Sequence, residues 1–174
     1  ERLPFMSTLL IAHPACLNHL TPPGHPERPD RLRAIEAVLE DEKFSTLARE
    51  QAPMAELETV ALAHPMEYVE AIREAAPRDG MVSLDGDTSM SSGSLEAALR
   101  AAGGAVLAVD EVVGKKAANA FVATRPPGHH AEPAADAEAS PVVALHGTRL
   151  GRRGEAGREG LPPHDDRRQD VHRG

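Results

Sequence analysis

The chain has 174 residues, a formal net charge of −8 and only 2% aromatic residues, with no tryptophan. This length fits one domain, and the negative charge argues against nonspecific binding to nucleic acid or to an anionic membrane, because both favour a basic surface. The single cysteine, Cys16, excludes a disulfide within the chain and favours a reducing, cytoplasmic setting. The longest apolar run, at residues 8–12, is too short to span a bilayer.

The first 30 residues predict a strand followed by an irregular loop. The apolar run at residues 7–12 ends in a His-Pro pair, which is typical of a buried strand that leads into a loop. Residues 20–30 contain four prolines and a glycine, which exclude a helix and a regular strand. We interpret His13 and the later His64 as hydrogen-bonded structural residues, and Cys16 as a buried, unreactive thiol.

Three amphipathic helices are predicted after that loop. Asp30 is placed to cap the first, Pro65 lies in the first turn of the second, and Ser94 is placed to cap the third. The apolar residues expected to face the core are Leu32, Ile35, Val38 and Leu39, then Tyr68, Val69 and Ile72, then Leu95, Leu99, Val106, Val109 and Val113. The pair Gly103-Gly104 lowers helix propensity and therefore predicts a close approach to another backbone.

A second strand, at residues 119–124, leads into another tight loop. The order of strand, three helices and strand predicts the start of a parallel α/β sheet. In such sheets the functional residues follow the carboxyl ends of the strands. His13, His129 and His130 each follow a predicted strand at that end.

The chain divides into two unlike parts. Residues 1–132 have the pattern of a folded domain, whereas residues 133–174 hold seven Arg, six Gly and no Lys, Phe, Tyr, Ile, Met or Cys. This second part shows neither a helical nor a strand period. It is either a disordered tail or a stretch that is not the native continuation, read out of frame or fused.

The segment RPPGHHAE, residues 125–132, places two imidazoles side by side on one loop. Neighbouring side chains on a regular helix or strand point apart, so an irregular loop is needed to direct both rings into one pocket. The prolines and glycine at residues 126–128 would fix such a loop. Taken alone, a His-His pair is more often a solvated or structural feature than a functional one.

With three further segments, this loop resembles the tandem-histidine signature of the histone deacetylase family. Its proline-rich form is similar to the class II branch, with acetoin-utilisation proteins and acetylpolyamine amidohydrolases as prokaryotic relatives. The other similar segments are GHPERPDRLRAI at residues 24–35, AHPMEYVEAI at residues 63–72 and LDGDTSMSSGSLEAALRAAGGAV at residues 84–106. Together they resemble the N-terminal part of the family's catalytic domain.

The resemblance implies an arginase-like, three-layer α/β fold with a mostly parallel sheet, and zinc-dependent hydrolysis of an acetylated lysine or acetylpolyamine. It implies that His130 is the general base and acid, a role suited to imidazole, and that His129 assists it electrostatically. It implies that Asp87 binds the substrate backbone at the rim of the site. The alternative for Asp87 is capping of the following helix. His25 and Glu27 are assigned to shaping the first loop, without a catalytic role.

The chain departs from the family pattern after the histidine pair. The family's zinc ligands are an Asp-x-His segment and a later aspartate, and its oxyanion-stabilising tyrosine follows them. Tyr68 lies far upstream in a predicted helix. Asp170 and His172 are either a remnant of the zinc segment or a chance match, because the polar residues before them predict no supporting strand. We therefore assign no metal ligands.

Two functions follow for this chain. In the first, it is a zinc-dependent amidohydrolase whose site is incomplete in these residues. In the second, it is a non-catalytic fragment of a deacetylase fold that binds a partner or nothing. For the 174-residue polypeptide itself we expect no stoichiometric zinc and no hydrolysis of an acetyl-lysine reporter, since a general base without a metal or an oxyanion group has little to act on.

Overall fold

The computed structural model describes residues 7–128, which form a layered α/β arrangement. In chain order its elements are β1 (Thr8–Ala12), α1 (Pro29–Leu39), β2 (Ala48–Gln51), α2 (Leu57–Val60), α3 (Met66–Ala75), β3 (Met81–Ser83), β4 (Ser89–Ser91), α4 (Ser94–Val113) and β5 (Asn119–Ala123). Short 3-10 helices cover Pro14–Asn18 and Glu42–Phe44. Within residues 7–128, no helix is long and apolar enough to cross a membrane.

The main sheet has the strand order β2-β1-β5, and both pairings are parallel. Leu10 of β1 lies opposite Arg49 of β2 on one side and Phe121 of β5 on the other. The predicted α/β class is therefore confirmed. Strands β3 and β4 form a separate antiparallel hairpin that the sequence pattern did not predict.

The two faces of the sheet pack against different helices. Leu9 and Ile11 belong to a core cluster with residues of α4, including Leu107. Leu10 packs on the other face with Cys16 and with Leu32 of α1. This alternation along β1 follows from the two-residue period of a strand, and it produces the predicted helix–sheet–helix layers.

Helix α4 lies unusually close to its neighbours because its buried face is made of small residues. A Cβ atom at Gly103 would lie 2.1 Å from the carbonyl oxygen of Pro53, and one at Gly104 would lie 3.0 Å from the Cβ of Ala52. The predicted close approach to another backbone is confirmed. The remaining buried residues of α4 are Ser94, Ala97, Ala101 and Ala102.

The predicted apolar stripes of α1 and α4 are partly wrong. Several of their members are 40% to 70% exposed: Ile35, Val38, Val106, Val109 and Val113. In α4 the small residues face the core, because they allow a close approach to the neighbouring backbone that the larger valines would prevent. The valines therefore lie on another, more exposed face. In α1, Leu32 is the residue that is fully buried.

The two predicted side-chain caps are also wrong. Helix α1 begins at Pro29, before the predicted cap, so Asp30 lies in its first turn and pairs with Arg33 at 2.8 Å. Helix α4 begins at Ser94 itself and has no side-chain cap. The Ser94 hydroxyl accepts a hydrogen bond from the backbone N–H of Ser91, which lies before the helix.

Candidate active site

The carboxyl ends of the two predicted strands lie side by side. Ala12 at the end of β1 is paired with Ala123 at the end of β5. The chain beyond β1 reaches the first loop, residues 19–28, and the chain beyond β5 enters the histidine loop, residues 124–130. The structure describes the histidine loop to residue 128, so His129 and His130 lie outside the described residues, as do Asp170 and His172.

Arg125 joins the histidine loop to the first loop through a buried ion pair. Its side chain is 5% exposed, and its Nε and Nη2 atoms donate to the two carboxylate oxygens of Glu27 at 2.7 and 2.5 Å. Its Nη1 atom donates to the carbonyl oxygen of His19 at 2.9 Å. Sequence reasoning placed Glu27 in the loop-shaping group but did not identify Arg125 as its partner.

The ionisation of this cluster follows from burial and from Arg125. Burial by itself raises the pKa of Glu27, but the hydrogen bonds and charge of Arg125, together with electrostatic contributions from His19 and Arg31, lower it overall, so the carboxylate stays ionised. Burial and the nearby guanidinium lower the pKa of His19 to about 4. The His19 Nε2 atom lies 3.6 Å from Glu27, yet this contact is not an ion pair near neutral pH because the imidazole is uncharged.

The neutral His19 continues the network to the start of α4. Its Nδ1 atom lies 2.7 Å from the Ser94 hydroxyl oxygen. The Ser91 hydroxyl donates to the carbonyl oxygen of Asn18 at 3.0 Å and accepts from the backbone N–H of Leu20 at 2.9 Å. Two buried serines therefore tie the first loop to the end of the β3–β4 hairpin and to α4.

Asp87 lies in the turn between β3 and β4, with a side chain that is 95% exposed. The Asp85 carboxylate holds this turn by accepting hydrogen bonds from the backbone N–H groups of Asp87 and Thr88 at 2.7 and 2.8 Å. Because α4 begins only at Ser94, the alternative that Asp87 caps this helix is wrong. The Asp87 carboxylate instead contacts the imidazole of His25 at 3.3 Å.

A cavity of about 520 Å³ lies between these elements. His25 and Asp87 line it together with apolar side chains that include Ile72 and Met90, and Pro126 and Pro127 contribute a wall from the histidine loop. A pocket of this size and mixed character suits a small ligand or one extended side chain. The described part of the histidine loop therefore borders the same space as the proposed rim residue.

The remaining predicted residues have structural surroundings. The Nδ1 atom of His13 accepts a hydrogen bond from the backbone N–H of Ala15, as predicted. Cys16 is buried, which raises the pKa of its thiol and agrees with the prediction of an unreactive residue. His64 is buried beside Tyr68, but among residues 7–128 its ring nitrogens have no hydrogen-bond partner, which contradicts the prediction that it is hydrogen-bonded.

The described residues do not fit a catalytic zinc ion. Among residues 7–128 there is no group of three or more His, Cys, Asp or Glu side chains that could hold a metal. A zinc site needs at least three protein ligands arranged around one point. The first loop, the β3–β4 turn and the start of the histidine loop thus form a ligand-sized cavity without a metal centre of their own.

Comparison with known proteins shows the family of this chain. The family model for the histone deacetylase domain matches residues 25–137, which is more than half of the chain. A probable deacetylase of Archaeoglobus fulgidus is 37% identical over 134 residues, covering 74% of this chain and 36% of that protein. A histone deacetylase-like amidohydrolase of Pseudomonas aeruginosa is 35% identical over 111 residues, covering 63% of this chain and 29% of that protein.

A solved structure supports the same relationship. The crystal structure of the HDA15 HD domain matches with a TM-score of 0.68 and 28% sequence identity, covering 74% of this chain and 38% of the other. The match thus spans about a third of the length of these two curated relatives. From the matched residues and the shared fold, the chain belongs to the histone deacetylase family.

Proposed function

We propose that this chain provides the substrate-facing loops and the histidine pair of an amidohydrolase that removes acetyl groups from lysine or polyamine amines. Family membership supports deacetylation as the reaction. The observation that carries the proposal is the cavity that borders both Asp87 and the described start of the histidine loop. In this proposal, Asp87 and the pair His129-His130 act at the same cavity.

Amide hydrolysis gives a role to each of the two imidazoles of the histidine loop. Hydrolysis adds water across the amide C–N bond and releases acetate and the free amine. In the proposal, His130 takes a proton from the attacking water and returns it to the amine nitrogen as the C–N bond breaks. His129 stabilises the charge that develops beside it. Imidazole suits both roles because it titrates near neutral pH.

Asp87 supplies the proposed contact to the substrate backbone. Its carboxylate is exposed at the mouth of the cavity, while Asp85 holds the turn that carries it. Carboxylate oxygens accept hydrogen bonds from backbone N–H groups, so Asp87 would orient an acetylated peptide whose side chain enters the cavity. The apolar wall that includes Met90 suits the methylene groups of a lysine or polyamine chain.

Zinc is the metal that we propose for this type of reaction, but the described residues do not fit it, and no step is assigned to a metal held by residues 7–128. The same observation favours a second candidate function, a non-catalytic module with a deacetylase fold. For the 174-residue chain by itself we therefore expect no stoichiometric zinc and no hydrolysis of an acetyl-lysine reporter.

The test separates binding from hydrolysis. The 174-residue chain is titrated with an acetyl-lysine peptide and with its unacetylated form, and hydrolysis and bound metal are measured with zinc supplied. We expect saturable binding of the acetylated peptide that Asp87→Asn weakens roughly tenfold, the scale of one lost charge-assisted hydrogen bond. Asp79→Asn, which changes an exposed carboxylate away from the cavity lining, is the matched control.

Each outcome has a defined meaning. Hydrolysis that His130→Ala abolishes would establish the amidohydrolase in this chain and contradict our expectation for the isolated polypeptide. Binding without zinc or hydrolysis would leave the substrate site in place and favour the non-catalytic module. No preference for the acetylated peptide would contradict the proposed substrate class.

A further inference from the structure

We propose that the ion pair between Arg125 and Glu27 is a positioning device for the histidine loop. It fixes residues 125–128, which directly precede His129 and His130 in the sequence, against the first loop. The inference rests on the proposed function only in giving His130 a proton-transfer role.

The geometry of the pair suits an anchor. The guanidinium forms two parallel hydrogen bonds with the carboxylate of Glu27, a residue 98 positions away in the chain. A paired arrangement of this kind restricts orientation as well as distance, which a single lysine contact would not do. The pair therefore fixes both the separation and the relative rotation of the two loops.

Arg125 is close in sequence to the two histidines. Arg125 precedes His129 by four positions, and four residues of extended chain span at most about 14 Å. Two of the intervening residues, Pro126 and Pro127, have restricted backbone rotation because the proline ring fixes φ. Because this segment is short and conformationally restricted, fixing Arg125 limits the positions open to the residues that follow it.

Burial explains why the anchor would hold. The side chains of Arg125 and Glu27 are 5% and 14% exposed, so neither charge is well solvated without the other. Arg31 also approaches the Glu27 carboxylate, at 3.8 Å, but its own side chain is 62% exposed. Arg125 is therefore the main positively charged partner of the buried Glu27 carboxylate.

Arg125 acts through position, because its side chain is buried and its nitrogen atoms contact Glu27 and the backbone near the first loop. Each of its three nitrogen atoms has an acceptor within hydrogen-bond distance, on Glu27 or on the carbonyl oxygen of His19. It is therefore a positioning residue, and its removal should move the histidine loop while the distant core stays folded.

The experiment compares Glu27→Gln and Arg125→Lys with wild type in the 174-residue chain. Glu27→Gln removes the counter-charge, and Arg125→Lys keeps the charge but loses the paired geometry. The matched control is Glu40→Gln, which breaks the exposed pair between Glu40 and Arg49. Amide hydrogen exchange is measured for peptides that span residues 119–130 and for peptides of α4. Ring signals of histidines labelled with nitrogen-15 report on His129 and His130.

We expect Glu27→Gln to raise exchange in residues 124–130 roughly tenfold, with exchange in α4 within about twofold of wild type. The ring signals of His129 and His130 should shift in the same variant, and Arg125→Lys should give an intermediate effect. Glu40→Gln should leave both measurements unchanged. Unchanged exchange and unchanged ring signals in both Glu27→Gln and Arg125→Lys would overturn the inference. Loss of protection in α4 in both variants would also overturn it, because it would indicate a role in folding alone.

Hydrolysis separates this inference from the proposed function. If the wild-type chain hydrolyses the acetyl-lysine reporter, Glu27→Gln should lower kcat while KM stays within about twofold, because the substrate contacts are retained. If kcat and exchange are both unchanged, the positioning role fails and the proposed function stands. If the wild-type chain shows no hydrolysis, exchange and ring signals still decide the positioning role.

Discussion

The Nε2 atom of His25 lies 3.3 Å from the carboxylate of Asp87, a residue 62 positions further along the chain. This contact joins the first loop to the β3–β4 turn at the mouth of the cavity. The other ring nitrogen lies 3.1 Å from the backbone of Glu27. The hydrogen bond to the Glu27 backbone raises the pKa of His25, and Asp87 raises it further.

The raised pKa of His25 predicts a stability contribution that decreases as the pH rises. Because the folded state binds the proton more tightly, the contribution is fully present below the ordinary pKa of about 6.5 and disappears as the pH passes through the raised folded value. We expect the difference in unfolding free energy between wild type and His25→Gln to be larger near pH 5 than near pH 8. Urea unfolding across this range measures it, and a difference that grows with pH contradicts the prediction.

The lowered pKa of His19 predicts the opposite dependence. The folded state disfavours the protonated ring, so stability should fall as the pH drops from about 6.5 toward the folded pKa of about 4. The full effect is on the order of 3 kcal/mol. His19→Gln should lower stability at neutral pH through loss of the contact with Ser94, and should flatten the decrease between these pH values. Equal acid dependence in variant and wild type would count against this role.

The close approach at Gly103 predicts that alanine is harmful there despite its higher helix propensity. The added Cβ would lie 2.1 Å from the carbonyl oxygen of Pro53, so backbone must shift. We expect Gly103→Ala to lower the unfolding free energy by about 1–3 kcal/mol, as overpacked cores do. Gly86→Ala is the control, because within residues 7–128 no atom beyond its two chain neighbours lies within 4 Å of the added Cβ. Thermal or urea unfolding of both variants provides the measurement.

The exposed side chain of Phe121 on β5 leads us to expect self-association of the chain through this strand. Its side chain is 48% exposed, and among residues 7–128 the strand β5 pairs only with β1. An exposed apolar side chain beside unpaired strand groups promotes association. We expect Phe121→Lys to reduce light scattering at high protein concentration. Leu62→Lys, at a residue that is 88% exposed and outside the sheet, should have a smaller effect. Equal effects would show that added charge alone is responsible.

Local sequence patterns were sufficient for some elements and insufficient for others. The apolar run of β1 and the spacing around Val69 in α3 predicted a strand and a helix that the structure contains. Strand β2, with the sequence AREQ and four exposed residues, has no apolar alternation. It is a strand because its backbone pairs with β1. The pattern of its own side chains does not reveal that pairing.

The same distinction applies to the candidate site. The sequence by itself determined the order of the family segments, the strand that leads into the histidine loop and the glycine pair that allows close packing of α4. Only the tertiary structure decided that Arg125 pairs with Glu27 and that His19 meets Ser94, across 98 and 75 positions. Local propensity depends on neighbouring residues, whereas a buried charge is satisfied by whichever partner the packed fold brings within hydrogen-bond distance.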